Sequence, residues 1–204
     1  MSYPTTPRPK RFALGGLYPT LVGHSFSRKR QARTRGAHRF TPILGYDGLY
    51  RAEWAPLISI VESLRGRSGT IELPVFGMET PRGAVSGIAA GNVKVDGAVA
   101  KGASSVPIKG LTNNLLNAFL ARDLVRFAGH KKLYSVFGTV NADGTGKGTL
   151  VLNQDLEADL VNNEVITTAN VTVCSALTSD TVPDSWGGGL ISPPFELQWE
   201  EDPQ

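Results

Sequence analysis

The segment 47-DGLYRAEWAPLISIVESLRGRSGTIELPVF-76 contains the clearest helix of the chain, followed directly by a strand. Apolar side chains recur in it at helical spacing, which predicts an amphipathic helix over about residues 49–65. These apolar residues are Tyr50, Trp54, Leu57, Ile58, Val61 and Leu64. Asp47 is a suitable N-cap, and Gly66 offers a stop after the last turn. Pro56 lies inside the pattern, where it either bends the helix or marks a later start.

Outside this helix the chain is rich in turn formers and poor in charge. Its 204 residues include 23 Gly and 13 Pro, while 41% are hydrophobic and only 19% are charged. This balance favours short strands joined by many turns, with enough apolar side chains for a core. The pattern predicts roughly nine strands, a further short helix over residues 111–120, and a hairpin turn at Asn141-Ala142-Asp143-Gly144. The sequence therefore predicts a mainly β fold.

Charge is distributed unevenly along the chain. Residues 1–46 contain nine Lys or Arg and no acidic residue, which leaves 12 basic and all 18 acidic residues to the remainder. Residues 1–12 contain three prolines and predict a flexible, extended basic arm that buries little. A basic front and an acidic remainder favour either binding to nucleic acid or complementary contacts between copies of the chain.

The densest positive charge lies in residues 28–35, Arg-Lys-Arg-Gln-Ala-Arg-Thr-Arg. Five cations in eight residues are enough to neutralise phosphates in a salt-dependent manner. No aromatic residues interleave with them to stack bases, and no familiar nucleic-acid-binding module surrounds them. We therefore prefer contact with the acidic surface of a neighbouring protein, with nucleic acid as the alternative. The candidate interface residues are Arg28, Lys29, Arg30, Arg33 and Arg35.

No group of residues in the sequence has the spacing of a catalytic or metal site. Residues 144–149 resemble a phosphate-binding loop only in part, because Asn141 stands where the first Gly is required and Gly148 follows the lysine. The three histidines lack metal-ligand spacing, and Cys174 is the single cysteine. We expect no enzymatic activity, no cofactor and no bound metal. We also expect no membrane span, because no stretch approaches the roughly 20 apolar residues that one requires.

Several segments together resemble the distal tail proteins of long-tailed bacteriophages, over about residues 12–201. The family's helix and following strand resemble Arg51–Leu73, and its turn into a second β domain resembles Thr80–Gly83. The strand, hairpin and strand of that second domain resemble Leu120–Phe127, Lys132–Val136 and Asn141–Leu150. The closing strand resembles Phe195–Glu201. One departure is visible, since the family usually has Gly before Asp123 and this chain has Arg122. Arginine resists the positive φ that glycine adopts freely.

The resemblance implies a two-domain architecture. Residues 12–88 and 167–204 would form a tail-tube-like β-barrel or sandwich with one flanking helix, and residues 89–166 would form an inserted second small β-barrel. It further implies a structural virion protein, made in the host cytoplasm, that forms a ring at the distal end of the tail. That ring would usually be a hexamer.

The resemblance also implies the partners. They would be further copies of the chain, the tail tube protein, and the hub and tail-tip proteins, with DNA only passing through the lumen. A tail tube subunit or another tail adaptor is an alternative within the same class. From a different class, the alternative is a nucleic-acid-binding module that uses residues 28–35.

Overall fold

The computed structural model of the chain describes residues 2–24, 30–34, 38–181 and 191–202. These residues form one α-helix, α1 (Arg51–Ser63), and thirteen β-strands, so the predicted mainly β class is confirmed. The strands are β1 Arg11–Leu17, β2 Thr20–His24, β3 Arg30–Thr34, β4 Arg39–Tyr46, β5 Thr70–Pro74, β6 Lys94–Val95, β7 Ser105–Lys109, β8 Leu124–Phe127, β9 Tyr134–Ser135, β10 Lys147–Val151, β11 Ile166–Thr167, β12 Thr172–Leu177 and β13 Phe195–Glu201.

The sheets formed by the described strands are open. As the named strands pair, none of these sheets closes on itself, so no single closed barrel sheet is present in this part of the chain. Isolated antiparallel bridges nevertheless link the β6 edge to the β11 edge, at Lys94 and Val165, and the β9 edge to the β10 edge, at Val136 and Leu152. A sandwich-like arrangement of several antiparallel sheets fits instead, which was the other form predicted for the larger domain.

The largest sheet has five antiparallel strands in the order β1-β4-β13-β12-β5. Alternate side chains are buried along β5, β13 and most of β4, as at Leu197 and Trp199 of β13. This period of two places them on one face of the sheet. Leu57 and Val61 of α1 belong to the same hydrophobic cluster. The sheet and α1 therefore bury a common core, and together they form what we call the first lobe.

The helix lies close to its predicted bounds, but its N-terminus differs in detail. The N-cap is Tyr50 and not Asp47, and the Tyr50 N–H donates to Glu53 Oε2 at 3.3 Å, a contact found in capping boxes. Pro56 is contained within the helix and does not mark its start. The C-cap is Leu64, and the left-handed residue that follows it is Arg65, with φ +54°. Gly66, the predicted stop, is the next residue and also has positive φ, at +72°. The described residues contain no helix long and apolar enough to cross a lipid bilayer.

Residues 85–166 bury a second hydrophobic cluster, which we call the second lobe. It contains two three-stranded sheets, β10-β7-β6 and β11-β8-β9. One local prediction is wrong here, because residues 111–120 form turns instead of a helix. The segments on either side of the predicted hairpin turn do pair, through an antiparallel bridge between Val136 and Leu152 and through the Phe137 N–H, which donates to the Val151 carbonyl at 2.7 Å. On its other edge β10 pairs with β7. The turn is held by Asp143, whose carboxylate accepts the N–H groups of Thr145 and Lys147 at 2.7 and 3.0 Å.

The two clusters draw on different parts of the chain. The first contains residues from 3–76 and 171–199, near both ends of the chain, and the second contains residues from 85–166. Leu124 and Leu133 depart from this division, because they lie in the middle segment but pack in the first cluster. The domain bounds suggested from the sequence stay a prediction.

The buried carboxylate of Asp123 holds the chain where it passes between the lobes. It accepts the backbone N–H groups of Arg82, Gly83 and Leu120 at 2.9, 3.1 and 2.8 Å. Hydrogen bonds to a carboxylate are stronger than those between neutral groups. Asp123 therefore ties the turn before β8 to the segment that enters the second lobe.

Two ion pairs join the lobes directly. Arg126 of β8 contacts Glu72 of β5 with two hydrogen bonds, Nη1 to Oε2 at 2.6 Å and Nη2 to Oε1 at 3.0 Å. Burial pushes the pKa of Glu72 upward, but hydrogen bonds from Arg126 and Thr172 outweigh it and hold this pKa below its usual value. The second pair is Lys132 and Glu201, whose Nζ and Oε2 atoms lie 3.2 Å apart and whose side chains are both buried.

The N-terminal arm buries more than predicted. The Tyr3 N–H donates to the Glu72 carbonyl at 2.9 Å, and the Tyr3 hydroxyl lies 3.0 Å from that of Tyr46. Tyr3 is buried and packs edge-on against Trp199. The prediction that residues 1–12 bury little is therefore wrong at Tyr3, because one aromatic ring buries a large area even in a short segment.

Candidate functional site: a projecting β-ribbon

Strands β1 to β4 form one long antiparallel ribbon. β1 pairs with β4 as far as Leu17 opposite Arg39, and the same two chain segments pair again as β2 and β3, beginning with Thr20 opposite Thr34. The β1–β4 half is joined to the large sheet through β13. The outer half pairs with no further strand in the part of the chain that the structure describes. We call this outer half, β2 with β3, the projecting ribbon.

The projecting ribbon and its base expose large apolar side chains. Leu21 is 59% exposed and Val22 46%, and Leu17 and Tyr18 at the base are also exposed. Successive residues of a strand point to opposite faces, so both faces of the ribbon carry apolar groups. An isolated two-stranded ribbon is only marginally stable in water. Contact with another molecule would bury this area and stabilise the ribbon.

The structure places two of the five candidate cations in the projecting ribbon. Arg33 lies opposite Leu21 and Arg30 opposite His24 in the pairing of β2 with β3, although the side chains of Arg30 and Arg33 are outside the described part. The remaining candidates, Arg28, Lys29 and Arg35, lie outside the described residues. The described part of the basic segment, Arg30–Thr34, therefore lies in the same element that exposes the apolar side chains.

Other basic residues near the N-terminus pair within the chain. Arg11 and Arg39 contact Glu196 and Glu200 of β13 at 2.9 and 3.0 Å, and Arg8 contacts Glu79. Such exposed pairs contribute little to stability individually. They do show that part of the charge separation seen in the sequence is neutralised within the fold. Only part of the basic N-terminal region is thus available to a partner.

The base of the ribbon rests on His38, which lies directly before β4. Its ring is buried and lies against Tyr18 and Phe40, with ring centroids 4.4 and 4.6 Å away. Burial, with a smaller effect from the Lys132 charge, lowers the pKa of His38 to about 4. This imidazole is therefore neutral at neutral pH.

Beneath His38 lies the buried pair of Lys132 and Glu201. Lys132 Nζ donates to the His38 carbonyl, and the Glu201 carboxylate accepts the N–H groups of Phe40 and Leu133 at 3.0 and 2.8 Å. Burial raises the pKa of Glu201, although the Lys132 charge and these N–H groups oppose the shift. The pair thus connects the start of β4, the end of β13 and the second lobe.

Sequence reasoning missed these three buried polar residues. One signal was available for Glu201, since it continues the alternation of Leu197 and Trp199, both of which are buried in β13. No comparable signal marks Lys132 or His38, because their burial depends on elements distant in the chain.

The described residues contain no group of three or more His, Cys, Asp or Glu arranged to hold a metal ion. Cys174 is buried, and burial raises the pKa of its thiol.

No model of a known protein family matches the chain, and no curated protein matches it either. The features that carry the functional interpretation are therefore the mainly β fold and the projecting ribbon.

Proposed function

We propose that this chain is a structural subunit of a bacteriophage tail that assembles into a ring of six copies at the distal end of the tail tube. One observation carries the proposal, the projecting ribbon with exposed apolar residues on both faces. The ring would join the tube to the hub and adsorption apparatus. The residue patterns shared with distal tail proteins supply the biological setting.

The ribbon is suited to contact between copies. Among the described residues no further strand pairs with it where it extends from the first lobe, so a neighbouring subunit could cover it. Exposed carboxylates occur elsewhere on the molecule, among them Glu62 on α1 and Asp155 and Asp159 in the second lobe. A basic element of one copy that meets an acidic surface of the next makes a head-to-tail contact, which closes into a ring when the rotation permits.

The first test is the native mass of the purified protein by light scattering, at low and at high salt. We expect a species near six copies of 21.8 kDa that dissociates as salt rises, because salt screens contacts between exposed charges. A tail tube subunit would instead form long tubes, which electron microscopy distinguishes from single rings. A monomer at every concentration and salt would contradict self-assembly into a ring.

A matched pair of variants tests whether the ribbon makes the contact. Leu21→Ser removes an exposed apolar side chain from the ribbon, and Val161→Ser removes one that is 64% exposed in the second lobe. We expect Leu21→Ser to shift the mass towards the monomer and Val161→Ser to leave it unchanged. Equal effects of the two variants would place the contact elsewhere.

Binding to nucleic acid is the second candidate function, and the shape of the ribbon favours it. The major groove of DNA admits a two-stranded antiparallel ribbon, and residues 28–35 supply five cations without an acid. This function predicts affinity for duplex DNA that falls steeply with salt and is lost when the five cations are replaced by Gln. Absence of binding at low salt would eliminate it.

A further inference from the structure

Two adjacent hollows lie between the lobes and share Arg122 in their walls. The first, of about 360 Å³, and the second, of about 430 Å³, together form what we call the interlobe cleft. Besides Arg122, the walls of the first include Met78, Pro81, Arg82, Asp123 and Leu124. Those of the second include Tyr18, His38, Ser135, Asn153 and Gln154.

Arg122 occupies a strained backbone position. It is the third residue of a turn closed by the Asp123 N–H donating to the Leu120 carbonyl at 3.0 Å, and it has φ +67°. A turn with positive φ at its third residue favours glycine at that position, and any other residue there lowers stability by on the order of 1 kcal/mol. No hydrogen bond or ion pair to its exposed guanidinium occurs within the described residues. Within the described part of the chain, no polar partner of the side chain thus offsets the strain.

Arg82 brings a second cation to the first hollow. One of its guanidinium nitrogens donates to the Ala121 carbonyl, which leaves further N–H donors for another group. Asp123 is the one carboxylate among the residues that line this hollow, and both its oxygens already accept backbone N–H groups. The hollow therefore has an excess of positive charge and of donors.

Apolar groups border these cations. Met78 is 40% exposed beside the first hollow, and the exposed ring of Tyr18 borders the second. A guanidinium binds a carboxylate with two parallel hydrogen bonds. Apolar walls next to such donors suit a polypeptide, whose acidic and apolar side chains alternate over short distances, better than a nucleic acid backbone.

We propose that the interlobe cleft binds an acidic segment of a partner polypeptide, with a carboxylate held by Arg122 and Arg82 and an adjacent apolar side chain against Met78. The positive φ of Arg122 is then part of the site, because this backbone conformation sets the direction in which the arginine side chain leaves the turn between the lobes. The inference does not rest on the ring, since the cleft lies within one copy of the chain.

The test is a titration of the full chain, followed by amide chemical shifts, with a short peptide in which Glu and Leu alternate. A peptide with Gln in place of Glu is the charge control. We expect shift changes confined to the residues around Thr80–Gly83 and Ala121–Leu124 for the Glu peptide alone. Changes produced equally by the Gln peptide, or by duplex DNA in place of the Glu peptide, would overturn the proposal, as would no change at all.

Arg122→Gly and Arg65→Gly form a matched pair for this experiment. Arg65 also has positive φ, at +54°, but it lines neither hollow. Glycine relieves strain at both positions, so both variants should unfold at a higher temperature than the wild type. We expect Arg122→Gly alone to weaken binding of the Glu peptide, by roughly tenfold or more, because a charged hydrogen-bonding partner is lost. Unchanged binding by Arg122→Gly would refute the role of this arginine.

Discussion

At the scale of single residues, His38 couples the stability of the fold to pH. Its pKa falls from 6.5 to about 4 in the folded chain, through burial and the charge of Lys132. The unfolded chain therefore takes up a proton first as the pH falls, so stability is fully present above pH 6.5 and is lost as the pH falls towards 4. From about pH 7.5 to about pH 5 the expected loss is about 2 kcal/mol.

Replacing His38 tests this coupling. We expect His38→Gln to remove this part of the pH dependence, as measured by urea unfolding at the two pH values. Loss of packing against Tyr18 and Phe40 lowers the stability of the variant equally at the two pH values. The difference in unfolding free energy between these pH values therefore reports protonation of His38 alone. Glu201, with its raised pKa, acts in the opposite direction but is present in both proteins. The same pH dependence in the variant and the wild type would exclude His38 as its source.

At the scale of elements, the end of β13 depends on a cation from the second lobe. We predict that Lys132→Met destabilises the protein by about 3–5 kcal/mol, because Glu201 remains buried without a countercharge. The loss should shrink as the pH falls, since a carboxyl with a raised pKa takes up a proton more readily. Thermal and urea unfolding measure both effects.

The control is Lys101→Met, which removes an exposed lysine from the same lobe. Surface substitutions of this kind change stability by about 0.5 kcal/mol at most. If both lysine variants lost the same small amount, the buried ion pair would contribute nothing measurable to the connection between β13 and the second lobe.

At the scale of the whole molecule, the two lobes share structure that ties their unfolding together. Leu124 and Leu133 pack in the first cluster although the second lobe surrounds them in sequence, and Arg126 pairs with Glu72 across the boundary. We predict a single calorimetric transition, with equal calorimetric and van't Hoff enthalpies. Two resolved transitions, or early amide exchange confined to residues 85–166, would show that the lobes unfold separately.

Local patterns were sufficient for much of the fold. The mainly β class follows from the many Gly and Pro residues and the low charge, because these properties act on each short segment independently. The helix was predicted for the same reason, since its apolar face is visible within a single stretch of chain. That the basic segment contacts a partner was inferred from charge alone, and both the contact and the partner stay predictions.

The pairing of strands and the burial of polar groups were decided only by the tertiary structure. β10 pairs with β7 and β13 lies between β4 and β12, and no local pattern selects among strands that are distant in the chain. Likewise, a lysine such as Lys132 is expected on the surface from its residue type, but in the fold it is buried and pairs with Glu201 of β13. The sequence by itself determined the mainly β class and the position of α1, because both follow from patterns within short segments. The tertiary structure decided which of them meet, because that depends on the total area buried and the polar groups satisfied across the whole chain.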